Sequence, residues 1–298
     1  MKAQVGGTTP LWIACRLLLY ERGDDFFRCM DKALSTADPE DIHDLRVASR
    51  RLREGLALFS PCYPPAECAR FGKSFRRVTR AMGAIRNTDE ALLFFTALAE
   101  DLGEPCRAEL EQVQDSFRAR RKKELKRLRT ALRESAPRAL RTRYQRVVSS
   151  PSLFTSPRTS VDLFAPLSLF AGEAIAAGLA PVMELVPQAQ LAGEIEAQHR
   201  LRIAIKHFRY RSEILSPLFG AAFPAVHSRL KAYQDVLGQM HDLDVFAGIV
   251  RDFPLSFPTN EVVLTAIAVR REGLFTEFIA MLDVMPPARI GELLRSAL

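Results

Sequence analysis

Arginine, lysine and histidine recur at helical spacing in two segments of this 298-residue chain, His43 to Glu54 (HDLRVASRRLRE) and His199 to Tyr210 (HRLRIAIKHFRY). At a constant offset of 156, His43 matches His199, Arg46 matches Arg202, Val47 matches Ile203, Arg50 matches Lys206 and Arg53 matches Arg209. The shared positions are mostly cationic, so the chemistry they offer is the binding of an anion met from two sides. A helix signature present twice also predicts a chain built by doubling one unit.

Each segment separates into two stripes when read at the helical period. In the first, Leu45, Ala48, Leu52, Leu56 and Phe59 form an apolar face, while His43, Arg46, Arg50 and Arg53 recur at steps of three and four on another side. The second keeps both, with Leu201, Ala204, Phe208 and Leu215 apolar and His199, Arg202, Lys206 and Arg209 basic. Each basic stripe covers roughly 15 Å with a cation about every turn. Like charges at these spacings repel by a few tenths of a kcal/mol per pair. A helix made for stability alone would alternate signs, and Asp44 and Glu54 do not neutralise four cations. Recurrence of the same pattern turns a charged face into a candidate anion site.

A second match follows each copy at an offset of 155: Met82 to Asp89 (MGAIRNTD) aligns with Leu237 to Asp244 (LGQMHDLD). The glycine and the following Asn/Asp residues read as a turn and N-cap, with Asp89 and Asp244 as structural residues.

Composition bounds the rest. Apolar content of 48% and charged content of 26% are those of a globular protein. The net charge of +7 is uneven: residues 1–150 carry 29 Lys and Arg against 20 Asp and Glu, and residues 151–298 carry 13 against 15. The excess crowds between Arg118 and Arg146. Cysteines 15, 29, 62, 68 and 106 are odd in number and include no C-x-x-C pair, which points to free thiols in a reducing compartment. The apolar run near the start is interrupted by Arg16 and no A-x-A-like site follows, so no signal peptide is expected. Val161 to Val186, the most apolar stretch, contains Glu173, Pro181 and Glu184 and reads as a buried core helix broken near Pro181 rather than a membrane span. A cytoplasmic protein is the expectation.

Helical periods dominate, without runs of alternating β-branched residues. The first half predicts helices near 11–35, 39–60, 65–84, 88–102 and 105–134. Residues 149–160 (SSPSLFTSPRTS) predict a linker, and the second half repeats the order near 161–185, 189–216, 220–239, 242–251 and 259–284. The fold class expected is all-α: two similar antiparallel bundles, 8–148 and 161–298, related by pseudo-twofold symmetry. The two basic stripes then face each other. The third helix adds Lys73, Arg76, Arg77 and Arg80 in the first half, and Arg229 and Lys231 stand in the second. Together these line a central channel positive on several sides, which favours a polyanion over a single small anion.

The doubled His-x-x-Arg-(Val/Ile)-x-x-(Arg/Lys) helix, each followed by a Leu-Gly-x-x-Arg-Asp-x-Asp-like segment, resembles the CHAD family, the conserved histidine α-helical domain. The resemblance runs from about residue 5 to 290. It implies one domain of two helical bundles around a basic channel that binds inorganic polyphosphate without catalysis and without a cofactor, in a family often linked to polyphosphate granules. His43, Arg46, Arg50, Arg53, His199, Arg202, Lys206 and Arg209 fall on the signature positions. The chain departs from it where His207 stands opposite Arg51, Asn87 replaces an Asp, Glu90 replaces an apolar residue and His241 stands opposite Arg86. Arg51 and His207 are counted with the expected site. With histidines as inner members, affinity is expected to weaken as pH rises through the histidine range.

Rival chemistries fit less well. Polyphosphate processing needs carboxylates holding a divalent metal; Asp89, Glu90, Asp242 and Asp244 are few and read as helix starts, and neither His43 nor His199 has an obvious partner base for a phosphohistidine. Zinc needs three or four ligands at tight spacing, and the five histidines are scattered. The cluster Arg118 to Arg133 suits sequence-independent contacts to RNA or DNA phosphates, but Trp12 and five dispersed tyrosines are few stacking platforms.

Overall fold

The computed structural model describes residues 5–36, 38–152 and 161–298. Among them the secondary structure is helical: α1 (Leu11–Ser35), α2 (Pro39–Leu58), α3 (Pro65–Leu102), α4 (Cys106–Glu134), α5 (Pro137–Val148), α6 (Leu167–Ala189), α7 (Ile195–Ile214), α8 (Phe223–Asp252), α9 (Phe257–Val284) and α10 (Pro287–Ser296). The protein is all-α, as the periodicity predicts. Helices α5 and α10 are additions to the sequence reading. Most of the expected 149–160 linker lies outside the described residues.

The two copies touch at equivalent positions. Pro10 and Pro166, 156 apart, precede α1 and α6 with almost the same backbone (φ −56°, ψ 139° and φ −57°, ψ 139°). They form an antiparallel bridge with one another. The Leu11 amide donates to the Ala165 carbonyl at 3.0 Å, and the Leu167 amide to the Thr9 carbonyl at 2.8 Å. These bonds occupy donors that the first turn of each helix leaves open.

Helix α2 starts where Asp38 caps it, its Oδ1 accepting from the Glu40 amide at 2.8 Å, with Pro39 at the first helical position and Glu40 and Asp41 in the first turn. Its apolar stripe is buried as expected: Leu45, Ala48, Leu52 and Leu56, continued by Phe59 just past the helix end. In α7 Leu201, Ile205 and Phe208 do the same. The two helices pack on one another, and both basic stripes are carried by this central pair.

The turns expected near Gly83 and Gly238 do not form. α3 runs unbroken for 38 residues and α8 for 30. A helical glycine costs only about 1 kcal/mol, and the last aspartate of each segment bonds to a neighbouring helix instead of capping a new one. Asp89 accepts from Arg121 Nε of α4 at 2.5 Å, and its counterpart Asp244 accepts from Arg271 Nε of α9 at 2.5 Å. The structural role assigned to these two aspartates stands, by a different bond. The break expected at Pro181 is also missing: α6 continues through Pro181 and Pro187, both on its exposed side. There water takes over the carbonyls that each proline leaves without a donor. α6 is long and apolar enough in composition to cross a membrane, yet one stripe, including Leu167, Ala171, Ile175, Leu179 and Val182, is buried among α7 and α10 while Leu169 and Met183 face outward.

Two apolar clusters result. The larger gathers α1, α2, α6, α7 and the first halves of α3 and α8. The smaller joins the far ends of α3 and α8 with α4 and α9, around Phe95, Leu110, Phe117, Phe246 and Val263. The polar space between these two clusters is where the basic stripes converge.

Candidate functional site

A cavity of about 860 Å³ opens between α2, α3, α4, α7 and α8. His43, Arg46 and Arg50 reach it from α2, Arg86 and Glu90 from α3, Arg120 from α4, Arg202 and Lys206 from α7, and Gln234, His241 and Asp242 from α8. A second cavity of about 550 Å³ continues from it, sharing Arg50 and Lys206 and adding Arg53, Lys73, Arg76 and His207. A third, of about 330 Å³, shares His43, Arg46 and Arg86 with the first and includes Arg121. The cavities meet through these shared residues, with Arg50 and Lys206 common to the first two.

Most of the cations lining these cavities lack a carboxylate partner. Arg46, Arg50, Arg53, Lys73, Arg76, Arg202 and Lys206 form no salt bridge among the described residues, whereas Arg86 pairs with Glu90 at 2.8 Å and Arg120 with Glu124 at 2.7 Å. The buried Nε of Arg202 has no hydrogen-bond partner. Burial and neighbouring cations show in the proton affinities. Burial, then Arg50, lowers Arg46 to about 10. Burial, then Arg50, Arg202, Arg46 and Arg53, lowers Lys206 to about 8. Arg53 and Arg202 are also lowered, chiefly by burial. Bringing unpaired charges this close in a partly dry space costs free energy. The Arg46 guanidinium rests against α3 at Gly83, where a Cβ would lie 3.6 Å from Nη1, an ordinary van der Waals contact.

Two carboxyls, Asp235 and Asp242, line the same space and form no salt bridge among the described residues. Burial, then Glu90, raises Asp242 to about 6, although Arg202, Arg86 and Arg46 favour its ionised form.

Other expected site residues are engaged elsewhere. Arg209 is 8% exposed and bonds to Glu213, to Gln234 Oε1 at 3.0 Å and over the Tyr210 ring. Arg51 donates from Nε to Glu213 Oε2 at 2.8 Å. His207 Nδ1 lies 2.6 Å from Glu54 Oε2, and Arg211 donates to the other Glu54 oxygen at 2.7 Å. The repeat-equivalent residues Arg51 and His207 thus each bind a carboxylate on the other central helix. Burial alone would raise Glu54, but His207 and Arg211 hold it below the usual carboxylate range; Arg209, Arg51 and His227 do the same for the buried Glu213. Arg77 pairs with Glu134, and Arg80, Arg229 and Lys231 line none of the three cavities.

The histidines depart from expectation. His199 does not line the cavity but shares a proton with His241, Nδ1 to Nδ1, at 2.9 Å. Burial, then Arg202, lowers His199, and the same two causes lower His241 to about 4. His241 is therefore neutral through the physiological range and His199 is shifted toward its neutral form, while Lys206 is brought down toward neutrality. Sequence reasoning missed Arg86, Arg120 and Asp242 as lining residues. The first and third lie in the second repeated segment, whose helical continuation the glycine disguised; Arg120 had no signal beyond the basic cluster it belongs to.

The family model described as the CHAD domain matches residues 19–251. The crystal structure of the CHAD domain from the plant Ricinus communis superimposes with a TM-score of 0.64 at 20% identity, over 100% of this chain and 94% of that one. PptA from Streptomyces chartreusis superimposes with a TM-score of 0.68 at 14% identity, over 92% of this chain and all of the other. No curated protein matches. The two structures share the fold, while the sequence match spans both central helices and the residues that reach the cavity, so the chain belongs to the CHAD family.

Proposed function

We propose that this protein binds inorganic polyphosphate along the passage between α2 and α7, as a non-catalytic module. The observation that supports this reading is the set of half-buried cations with no counterion, placed along meeting cavities rather than in one small pocket. A flexible chain of phosphates supplies a negative charge at each step of such a passage. Arginine forks and the lysine point charge both suit phosphate oxygens. Gln234 and Gln239 add neutral polar groups to the main cavity, whose Phe117 and Phe246 are largely buried in the smaller apolar cluster, and Tyr210 of the second cavity is buried with Arg209 over its ring. That arrangement favours a polymer without bases over RNA or DNA. Of the carboxyls lining the main cavity, Glu90 is engaged by Arg86 and burial raises Asp242 to about 6; with Asp235 they form no cluster of three or more ligands suited to a metal among the described residues.

The test is titration with long-chain polyphosphate across a salt series. Affinity should fall steeply with salt as counterions are released; a constant affinity over a tenfold salt range is the opposing result. Incubation with polyphosphate and Mg²⁺ should leave chain length unchanged, and shortening would make the protein an enzyme. In cells, the protein should co-localise with cytoplasmic polyphosphate granules.

A further inference from the structure

The basic cluster on α4 reaches the cavities only at Arg120 and at Arg121, and Arg121 is paired with Asp89. Arg120 lines the main cavity. Its Nε donates to Glu124 Oε1 at 2.7 Å, while the other Glu124 oxygen accepts from Thr88 at 2.6 Å. The buried Glu124 therefore fixes Arg120 at the cavity rim by one nitrogen and leaves its two terminal nitrogens without a protein partner. Three and seven residues on, Lys123 and Arg127 occupy the same helical stripe, about 10 Å of axis in all. They line an open groove of about 410 Å³ together with Lys126 and Thr130. The single carboxylate of that groove, Glu134, is engaged by Arg77. Lys123, Lys126 and Arg127 form no salt bridge among the described residues, and no aromatic side chain lines the groove.

We propose that this groove is a second phosphate subsite, entered from the main cavity over Arg120, which makes the protein select long polyphosphate over short. This rests on the polyphosphate reading of the main passage. A short chain is held between α2 and α7, whereas a long one emerges past Arg120 and lies along Lys123 and Arg127. The stripe is exposed, so its cations act by local phosphate contact and counterion release rather than by burial. The cluster then has a ligand-facing side, Arg120–Lys123–Arg127, and a solvated side that includes Lys122 and Arg129.

The experiment compares tripolyphosphate with long-chain polyphosphate by titration calorimetry on the full chain. The double variant Lys123→Glu/Arg127→Glu should lose about tenfold in affinity for the long chain, with a shallower salt dependence, and keep its affinity for tripolyphosphate. Charge reversal at Lys122 and Arg129, on the solvated side, should change neither. The proposal is overturned if the groove variant binds long chains normally, if it weakens both ligands equally, or if the solvated-side variant has the same effect. It is also overturned if the groove variant weakens single-stranded RNA more than long polyphosphate, since the stripe would then be a nucleic-acid surface. Arg50→Glu separates this from the underlying reading: normal tripolyphosphate binding by that variant defeats the main passage as the site, whatever the groove does.

Discussion

The two central helices carry the same repeated motif and use it differently. On α2, Arg46, Arg50 and Arg53 all reach the passage without a protein counterion. On α7, Arg202 and Lys206 reach it, but His199 is tied to His241 and Arg209 is buried against Glu213. The difference traces to single residues outside the motif. Four positions after Arg209 stands Glu213, within reach on the same helix face; four after Arg53 stands Ala57. The first copy therefore leaves its last arginine for a ligand, and the second ties it to the buried carboxylate of Glu213, which Arg51 and His227 also reach. Duplication preserved residue types while the surroundings divided their work.

Removing the last arginine of each motif tests this most strongly. Arg209→Met should lower stability by about 3 kcal/mol, because the buried Glu213 carboxylate loses a charge-assisted donor, with polyphosphate affinity kept within about threefold. Arg53→Met should do the reverse, leaving stability nearly unchanged or improved and weakening binding. Chemical denaturation and a binding titration on both variants decide it. Equal stability losses would erase the distinction between the copies.

Next in size is the meeting of the first two cavities. Arg50→Glu replaces a cation common to both main cavities with a charge that repels phosphate, and affinity should fall by about 2–3 kcal/mol, on the order of 100-fold. Charge reversal at Arg229 or Lys231, which line none of the cavities, should have little effect. If all three positions weaken binding alike, the site is a diffuse basic surface and the passage has no special standing.

Much of this was legible in the residues. The 3–4 spacing separated core stripe from basic stripe on α2, where burial of Leu45 and Leu52 left the cations one place to go, and only in part on α7, where Ile205 rather than Ala204 is buried with Leu201 and Phe208 and where Arg209 is buried too. Even the Arg209–Glu213 pair was readable as an i,i+4 contact. What spacing could not convey was distance across the fold. Glu54 stands at i+4 from Arg50, yet it binds His207 and Arg211 of α7, since tertiary proximity outweighs a weak helical pair. Gly83 and Gly238 suggested turns because a glycine followed by Asn or Asp is a common helix boundary. Their helices instead run on, held by Asp89–Arg121 and Asp244–Arg271. The signs of the charges were plain in the sequence, but their proton affinities depend on burial and neighbours that only the packed molecule sets.

Those proton affinities give a smaller contrast between the helices. In the free protein the Lys206 ammonium has an affinity of about 8, against an ordinary 10.5, chiefly because it is buried beside Arg50. Bound phosphate favours the ammonium, so the contribution of Lys206 should be constant well below pH 8, and affinity should fall by about tenfold between pH 7 and 9.5. In the free protein the sign for stability is opposite. The folded state holds fewer protons than the unfolded between about 8 and 10.5, so stability should rise with pH over that window. Lys206→Arg should flatten both profiles, making α7 behave like α2 at this position. An affinity loss centred in the histidine range and abolished by His199→Asn would return the titration to the imidazoles.

The smallest effect concerns Asp242, whose repeat equivalent on α3 is Asn87. With its proton held to about pH 6 by burial and by Glu90, Asp242 is ionised at pH 7.5 and places a negative charge where phosphate would lie. Its raised proton affinity destabilises the fold above pH 6, and the penalty disappears as pH falls toward the ordinary 3.8. Asp242→Asn makes the second copy match the first. At pH 7.5 it should stabilise the protein by about 1–2 kcal/mol and tighten polyphosphate binding several-fold. The wild-type protein should gain affinity as pH falls through 6, and the variant should not, because protonation already removes the charge that the substitution removes. If both proteins keep the same slope between pH 5 and 7, another group carries it, and the carboxyl in the cavity is not what makes the second copy the weaker binder.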